Sequence, residues 1–294
     1  MPSRSESRLL SAYRQSMKPR GMDGPVDLLI YRPIGFAVAW ALSFTKASPN
    51  AVTAFSALFG LAAGICAQRG TAAAFLLCGL LFQVSNFLDC ADGQLARLTG
   101  RQSPEGRIID GFADYAVYIF VYSGVMLGLL NSGRARLVVL ALFSAGGLAT
   151  AFCNMQYDRA ISRYSEVLKG EAQDREAEFE TARDMASRSR GAKRFFWLTY
   201  ARYARLADGS GPRTAQGETG PDSKRDYVEA MLPLLNAWSF TGPSAHVLYF
   251  LIFAAIGKPE WYFAACVVLA QATVILLAAQ RLVDFKLCRR LAED

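Results

Sequence analysis

Charged residues are scarce in this sequence, at 19%, and histidine is almost absent: His246 is the sole one among 294 residues. The six cysteines (Cys66, Cys78, Cys90, Cys153, Cys266 and Cys288) show no Cys-x-x-Cys spacing and fall mostly in apolar runs. That pattern excludes a disulfide framework and leaves them as small apolar side chains. Residues 1–25 are charged and polar with no apolar stretch, so no cleavable signal peptide is expected. No nucleic-acid-binding motif occurs, and nucleic acid is not expected as a partner. The net charge of +7 reads instead as the basic bias of a cytoplasmic membrane face, with attraction to anionic lipid and to an anionic nucleotide as its sharper use.

What the sequence does hold is apolar: 52% of it is aliphatic, aromatic, Met or Cys. These residues gather in runs at roughly 51–68, 72–88, 112–130, 137–153, 245–256 and 261–280. Several approach the ~20 residues that cross a bilayer. Backbone in hydrocarbon must satisfy itself, so the runs are expected to be helices. The fold class that follows is all-α: a polytopic membrane protein of six transmembrane helices, with an N-terminal interfacial helix and a cytoplasmic helical insert. The run at 245–256 is short and has to borrow from Leu232–Ser244. Repeated glycines, among them Gly60, Gly64, Gly79, Gly124 and Gly128, suit close helix packing.

Five segments are expected. Residues 1–47 form a cytoplasmic and juxtamembrane segment, in which 25–47 is apolar but interrupted by Arg32 and Pro33, and so lies in the interface rather than across it. Residues 48–155 hold the first four spans. Residues 156–231 are a charged cytoplasmic insert with a flexible part from Asp208 to Arg213 and a mixed cationic and aromatic stretch from Lys193 to Tyr203. Residues 232–286 hold the last two spans, and 287–294 are a cytoplasmic tail. Lys and Arg concentrate in the N-terminal segment, the loop near residue 100, the insert and the tail. By the positive-inside rule these four regions are cytoplasmic and both termini share that side, as in a bacterial-type inner or plasma membrane.

Against this background four aspartates stand out: Asp89, Asp92, Asp110 and Asp114, inside one window of 26 residues at the ends of apolar helices. Carboxylates at membrane depth are costly unless they face a cavity and meet cations. Asp89 and Asp92 are i, i+3, and Asp110 and Asp114 are i, i+4, so each pair shares a helix face. Four converging carboxylates repel one another unless divalent cations sit between them, and hard oxygen donors suit Mg2+ or Mn2+.

The residues read Asp89-x-x-Asp92-Gly93-x-x-Ala96-Arg97, then eight residues, then Gly106-x-x-x-Asp110-x-x-x-Asp114. In these eight fixed positions the chain resembles the CDP-alcohol phosphotransferase family without a departure. The resemblance implies a reaction of phospholipid biosynthesis: an alcohol attacks the phosphate of a CDP-linked donor, CMP leaves and a phosphodiester forms. It implies Asp89, Asp92, Asp110 and Asp114 as ligands of two Mg2+ or Mn2+ ions, and Asp114 as general base. Gly93, Ala96, Arg97 and Gly106, with Asp89, are then the residues that meet the CDP substrate. Asn50 and Thr53 join them, because Ser48-Pro49-Asn50-Ala51-Val52-Thr53 resembles a family element near the nucleotide site. The same residues also make ordinary helix-start chemistry.

The partners implied are a CDP-linked donor and an alcohol acceptor, one of them a lipid, together with membrane lipid, and a second copy of the chain through the transmembrane region. The stretch from Asp23 to Gly35 resembles members acting on CDP-inositol-like donors. For the acceptor, the hydroxyls of Ser239 and Thr241 and the ring of His246 form the expected wall. Two other readings compete. An intramembrane prenyltransferase would use Asp-rich helix ends such as Asn86-x-x-Asp89-x-x-Asp92, but with its two motifs far apart. A divalent-cation transporter would explain the carboxylates but not Gly93, Ala96, Arg97 and Gly106.

Overall fold

The computed structural model describes residues 4–169, 175–191, 194–195, 197–201 and 221–293. Every regular element among the described residues is helical. In chain order they are α1 (Arg4–Ser16), a π-helical turn (Asp27–Tyr31), α2 (Arg32–Ser43), α3 (Pro49–Ala67), α4 (Ala72–Thr99), α5 (Pro104–Asn131) and α6 (Arg136–Lys169). There follow α7 (Arg175–Arg188), α8 (Pro221–Trp238), a 3-10 turn (Ser239–Thr241), α9 (Pro243–Ala255) and α10 (Pro259–Glu293). The stretch expected to be flexible, Asp208 to Arg213, lies outside the described residues.

Local chemistry sets the helix starts. Ser48, Thr71 and Ser103 are extended residues whose hydroxyls accept from Ala51 N (3.2 Å), Ala74 N (3.2 Å) and Gly106 N (3.0 Å). Each satisfies one backbone N–H that the first turn leaves without a helical partner. Pro49 and Pro104 follow two of these caps, where a missing N–H costs nothing. Helix α4 ends at Gly100, whose φ of +66° is the left-handed conformation that a Cβ would oppose. Four residues, 100–103, therefore suffice to turn the chain from α4 into α5.

Among the described residues, five helices are long and apolar enough to cross a membrane: α3, α4, α5 within Glu105–Asn131, α6 as far as Ser165 and α10 as far as Val283. The chain is an integral membrane protein. Helix α9 is apolar but only 13 residues long. The expectation that this run extends back into Leu232–Ser244 is not met as one helix. Leu232–Trp238 belongs to α8, and Gly242 (φ −84°, ψ 170°) is extended before Pro243. A residue preceding proline is driven out of the helical region, which separates the two helices. The apolar segment at 25–47 instead stays helical where the π-helical turn runs into α2, with Tyr31 and Arg32 both in the right-handed helical region and Pro33 in the first turn of α2.

The chain divides into two compact units, Met1–Ala160 with Leu232–Gln280, and Ile161–Met231 with Arg281–Asp294. In the second, Ala182, Ala186, Trp197, Ala201 and Met231 are buried, and the rings of Tyr164 and Tyr227 stack at 6.4 Å. The first holds the main apolar core, including Phe82, Val121, Val125, Phe250, Tyr262 and Phe263. Because lipid tails are as apolar as leucine, association here rests on close packing and hydrogen bonds. At the α3–α5 crossing a methyl on Gly64 would strike the Phe120 carbonyl, and one on Gly124 the backbone of Gly64. Helices α3 and α4 exchange two hydrogen bonds: Ser56 Oγ donates to the Ser85 carbonyl (2.9 Å) and Ser85 Oγ to that of Ser56 (2.8 Å).

Candidate active site

The α4–α5 turn brings the two carboxylate pairs together. Oxygens of Asp89, Asp92 and Asp110 lie within 4.8 Å of one another. Asp92 is buried, and its Oδ2 accepts a hydrogen bond from the Thr53 hydroxyl on α3. Asp110 Oδ1 is buried without a hydrogen-bond partner. Asp114 sits one turn beyond Asp110 on α5 and, with Asp89, lines a small cavity. An orphaned carboxylate oxygen beside two more carboxylates, all hard donors, fits a divalent cation of the Mg2+ or Mn2+ type.

The glycines of the motif separate by what surrounds them. A Cβ at Gly106 would sit 3.0 Å from Ser103 Oγ and 3.3 Å from Asn50 Oδ1, so its absence lets Asn50 approach the start of α5. At Gly93 the nearest atom to a Cβ would be Arg97 Nη1 at 3.5 Å, an ordinary contact. Packing within the chain does not require a glycine there. Thus Asn50 and Gly106 are brought together, as are Thr53 and Asp92, while Gly93 leaves an open face beside Arg97.

Arg97 is held from outside the motif. Its Nε donates to the backbone carbonyl of Ser16 at the end of α1 (2.5 Å), and its Nη2 is buried with no partner. Gln94 reinforces the same junction through Nε2, which reaches Ser16 Oγ (3.3 Å) and the Arg32 carbonyl (3.2 Å). Beside it, Arg32 donates from Nε (3.0 Å) and Nη2 (2.7 Å) to Asp23 Oδ1, and both side chains are buried. The sequence reading had Asp23 and Arg32 within one stretch of family resemblance and Arg32 as an interruption of an apolar run, but did not pair the two. Tyr31, also buried, donates to Gln83 Oε1 (2.8 Å), and burial pushes its phenol above the usual range, so it stays neutral.

The expected acceptor residues lie around the start of α9. Ser239 and Thr241 are buried, and their hydroxyls donate within the local turn, to Asn236 O (2.8 Å) and Trp238 O (2.9 Å). His246 is fully buried, with Nδ1 3.1 Å from the Tyr262 hydroxyl and Nε2 unpartnered. None of the three lines the cavity between Asp89 and Asp114. That cavity is lined instead by Asn86, Tyr118 and Val247 among others. Tyr118, which the sequence reading also missed, donates to the Pro243 carbonyl (3.1 Å) and so ties the start of α9 to the carboxylates. The spacing Asp110, Asp114, Tyr118 was its available signal, since i, i+4 residues share a face. A separate apolar groove of about 290 Å³ runs between α2, α3 and α4, lined by residues that include Val38, Leu42, Val52, Phe55 and Leu88.

Comparison with known proteins places these features. Residues 46–168 match the model of the CDP-alcohol phosphatidyltransferase family. The chain is also similar to two curated proteins, each named bifunctional IPC transferase and DIPP synthase. The one from Rubrobacter xylanophilus is 32% identical over 146 residues, covering 49% of this chain and 32% of that protein. The one from Archaeoglobus fulgidus is 28% identical over 136 residues, covering 46% of this chain and 26% of that protein. The match thus spans about a third or less of the length of these relatives.

Proposed function

We propose, from the premise that residues 46–168 are a CDP-alcohol phosphatidyltransferase domain, that the protein is an integral-membrane phosphotransferase acting on a CDP-linked donor and an alcohol acceptor. The observation that carries the proposal is the set of three aspartate oxygens within 4.8 Å on two consecutive helices, with the whole eight-position motif around it. The acceptor oxygen attacks the donor phosphorus beside the pyrophosphate bridge. The bond from that phosphorus to the CMP oxygen breaks, CMP leaves, and the hydroxyl proton passes to Asp114. Such chemistry needs charge neutralisation and in-line placement more than covalent help.

Asp89, Asp92, Asp110 and Asp114 would hold two Mg2+ or Mn2+ ions, which when bound neutralise phosphate oxygens and the leaving CMP. The chain's own residues do the rest. Thr53 fixes the orientation of Asp92, Asn50 and Gly106 shape the mouth of the site, and Gly93 leaves room for phosphate or ribose against the α4 backbone. Arg97 offers its unpartnered Nη2 to a donor phosphate. Ser239, Thr241 and His246 are proposed for the acceptor side, with Tyr118 as their link to the cavity. The apolar groove beside Val52 and Leu88, neighbours of Thr53 and Asp89, is a seat for the hydrocarbon of the lipid partner.

In the membrane, six spans are proposed, with α9 as the short fifth and 25–47 in the interface. The site then faces the cytoplasm, where nucleotides and magnesium are, in a bacterial-type inner membrane, and a homodimer forms through the spans. The resemblance of the stretch from Asp23 to Gly35 puts a CDP-inositol-like donor first in any panel.

The test is CMP release by purified protein in nanodiscs, from CDP-inositol, CDP-choline, CDP-ethanolamine and CDP-diacylglycerol in turn, against a panel of acceptors, with Mg2+ or EDTA. Mg2+-dependent release that disappears in Asp114→Asn is expected. Prenyl transfer without CMP release, or cation transport alone, would overturn the assignment. For the acceptor side, His246→Ala should raise the acceptor KM more than the donor KM, and equal effects on both remove His246 from that role.

A further inference from the structure

Asp89 and Asp114 share a small cavity with residues outside the motif. It occupies about 20 Å³ among Ser56, Ser85, Asn86, Asp89, Asp114 and Tyr118. That is room for one water and too little for a substrate group. The hydroxyls around it are committed elsewhere. Ser56 and Ser85 donate to each other's carbonyls, and Tyr118 donates to Pro243. One buried donor, Asn86 Nδ2, makes no hydrogen bond of normal length in the protein, although its amide also interacts with the Tyr31 phenol. Asn86 stands one helical turn before Asp89 on α4, so its side chain lies beneath the carboxylates rather than among them.

A buried amide without a partner costs roughly 1–3 kcal/mol, and such groups in native proteins call for an unseen partner. The Asp89 and Asp114 carboxylates that line the cavity are acceptors, and the cavity has the size of one water. We propose that Asn86 is a positioning residue: it donates to a single water in this cavity, and the water donates to the inner oxygens of Asp89 and Asp114. Two carboxylates on different helices are thereby held at fixed angles from below. Their outer oxygens remain free for cation and for the acceptor hydroxyl. The inference rests on the reading of Asp89 and Asp114 as ligand and base given above, and extends it to a residue outside the eight-position motif. Orientation of metal-ligating carboxylates by such a partner is commonly worth 10–100-fold in metal affinity or activity.

Two substitutions separate this from a structural role. Asn86→Leu keeps a similar volume but removes the donor. Asn86→Gln is one methylene longer and carries its amide into the space of the water, where it donates to the carboxylates directly. In the full-length protein in nanodiscs, Asn86→Leu should lower kcat for CMP release about 10–100-fold with both KM values within about threefold, and weaken Mn2+ binding, followed by electron paramagnetic resonance, about tenfold. Asn86→Gln should stay within about threefold of the parent in kcat and in Mn2+ affinity, well short of the 10–100-fold loss. The melting temperature of Asn86→Leu should change little, because the amide it removes makes no hydrogen bond of normal length within the protein. If the leucine variant does not fold, Asn86→Ala takes its place, with loss expected in the same direction and the glutamine variant as the reference.

Equal kcat and Mn2+ affinity in the leucine, glutamine and parent proteins would overturn the proposal, as would equal losses in leucine and glutamine variants. If the parent releases no CMP from any donor, the transferase reading fails. The Mn2+ titration then still decides on Asn86, since weaker binding in leucine alone supports the role and unchanged binding removes it.

Discussion

Arg97, the last fixed residue on α4, donates from Nε to the backbone carbonyl of Ser16 at 2.5 Å, across 81 positions of sequence. The last carbonyls of a helix have no partner within it and carry its negative end, so a cation is favoured there. This contact aims a motif residue by means of a segment that precedes the matched domain, which begins at residue 46. Truncation of residues 1–16 should raise the donor KM about tenfold, as expected for losing one hydrogen bond to a charged group, with the Mg2+ activation constant unchanged. Arg97→Lys should reproduce that effect, because a point-charge ammonium cannot serve Ser16 and a phosphate together. Steady-state kinetics at varied donor concentration checks both, and a loss confined to acceptor KM would contradict them.

Two glycines should respond oppositely. Gly64→Ala places a methyl on the Phe120 carbonyl and should destabilise the bundle by about 1–3 kcal/mol, as overpacking does. Gly93→Ala meets only Arg97 at 3.5 Å, so its melting temperature should stay close to that of the parent. Its kcat/KM for the CDP donor should nevertheless fall at least tenfold if phosphate or ribose approaches that face. Differential scanning fluorimetry alongside the CMP assay makes the comparison in one preparation.

The carboxylate cluster predicts a sign reversal on metal removal. With cation bound at 100 times its Kd the folded state gains about 2.7 kcal/mol. Mg2+ or Mn2+ should therefore raise the melting temperature of the parent, and EDTA should lower it. In Asp92→Asn one of the crowded charges is gone, so the EDTA melting temperature should rise above that of the parent, while the gain on adding Mn2+ should shrink. Thr53→Val should keep the parent's charge but weaken Mn2+ binding 10–100-fold, since Asp92 loses its donor.

Ion pairs should also differ by depth. Asp23 and Arg32 are both buried, so Asp23→Ala strands a guanidinium and should cost about 3–5 kcal/mol. Arg188 and Asp184 are exposed on α7, and Arg188→Ala should cost under about 1 kcal/mol. Thermal unfolding of the two variants tests the ranking.

What the sequence disclosed was whatever repeats along a helix. The apolar runs at 51–68, 72–88, 112–130, 137–153 and 261–280 coincide with helices long enough to cross a membrane, and Asp89, Asp92 and Asp110 bring oxygens within 4.8 Å of one another. What it concealed was long-range. The hold of Ser16 on Arg97, the pairing of Arg32 with Asp23 and the bridge from Tyr118 to Pro243 join residues whose mutual approach no periodicity encodes. Arg32 looked like a break in an apolar segment because its partner is nine residues away and in no helix. Asn86 looked like the first member of a different Asp-rich pattern, because nothing in its spacing shows that its amide nitrogen makes no hydrogen bond of normal length. Ser239 and Thr241 were legible as hydroxyls, but the 3-10 turn that occupies them depends on the extended residue before Pro243.

The four-residue turn between α4 and α5 has a consequence for how the protein is made. All eight motif positions lie between Asp89 and Gly106 to Asp114, and Thr53 reaches them from the helix just before. A ribosome that has released residues up to Asn131 into the bilayer has already supplied every carboxylate and the hydroxyl that aims Asp92. Contacts this local close small loops and form early. The later helices, α9 among them, arrive at a carboxylate cluster that is already assembled, so on the proposed reading the nascent first half of the chain takes up its cation before the second half exists.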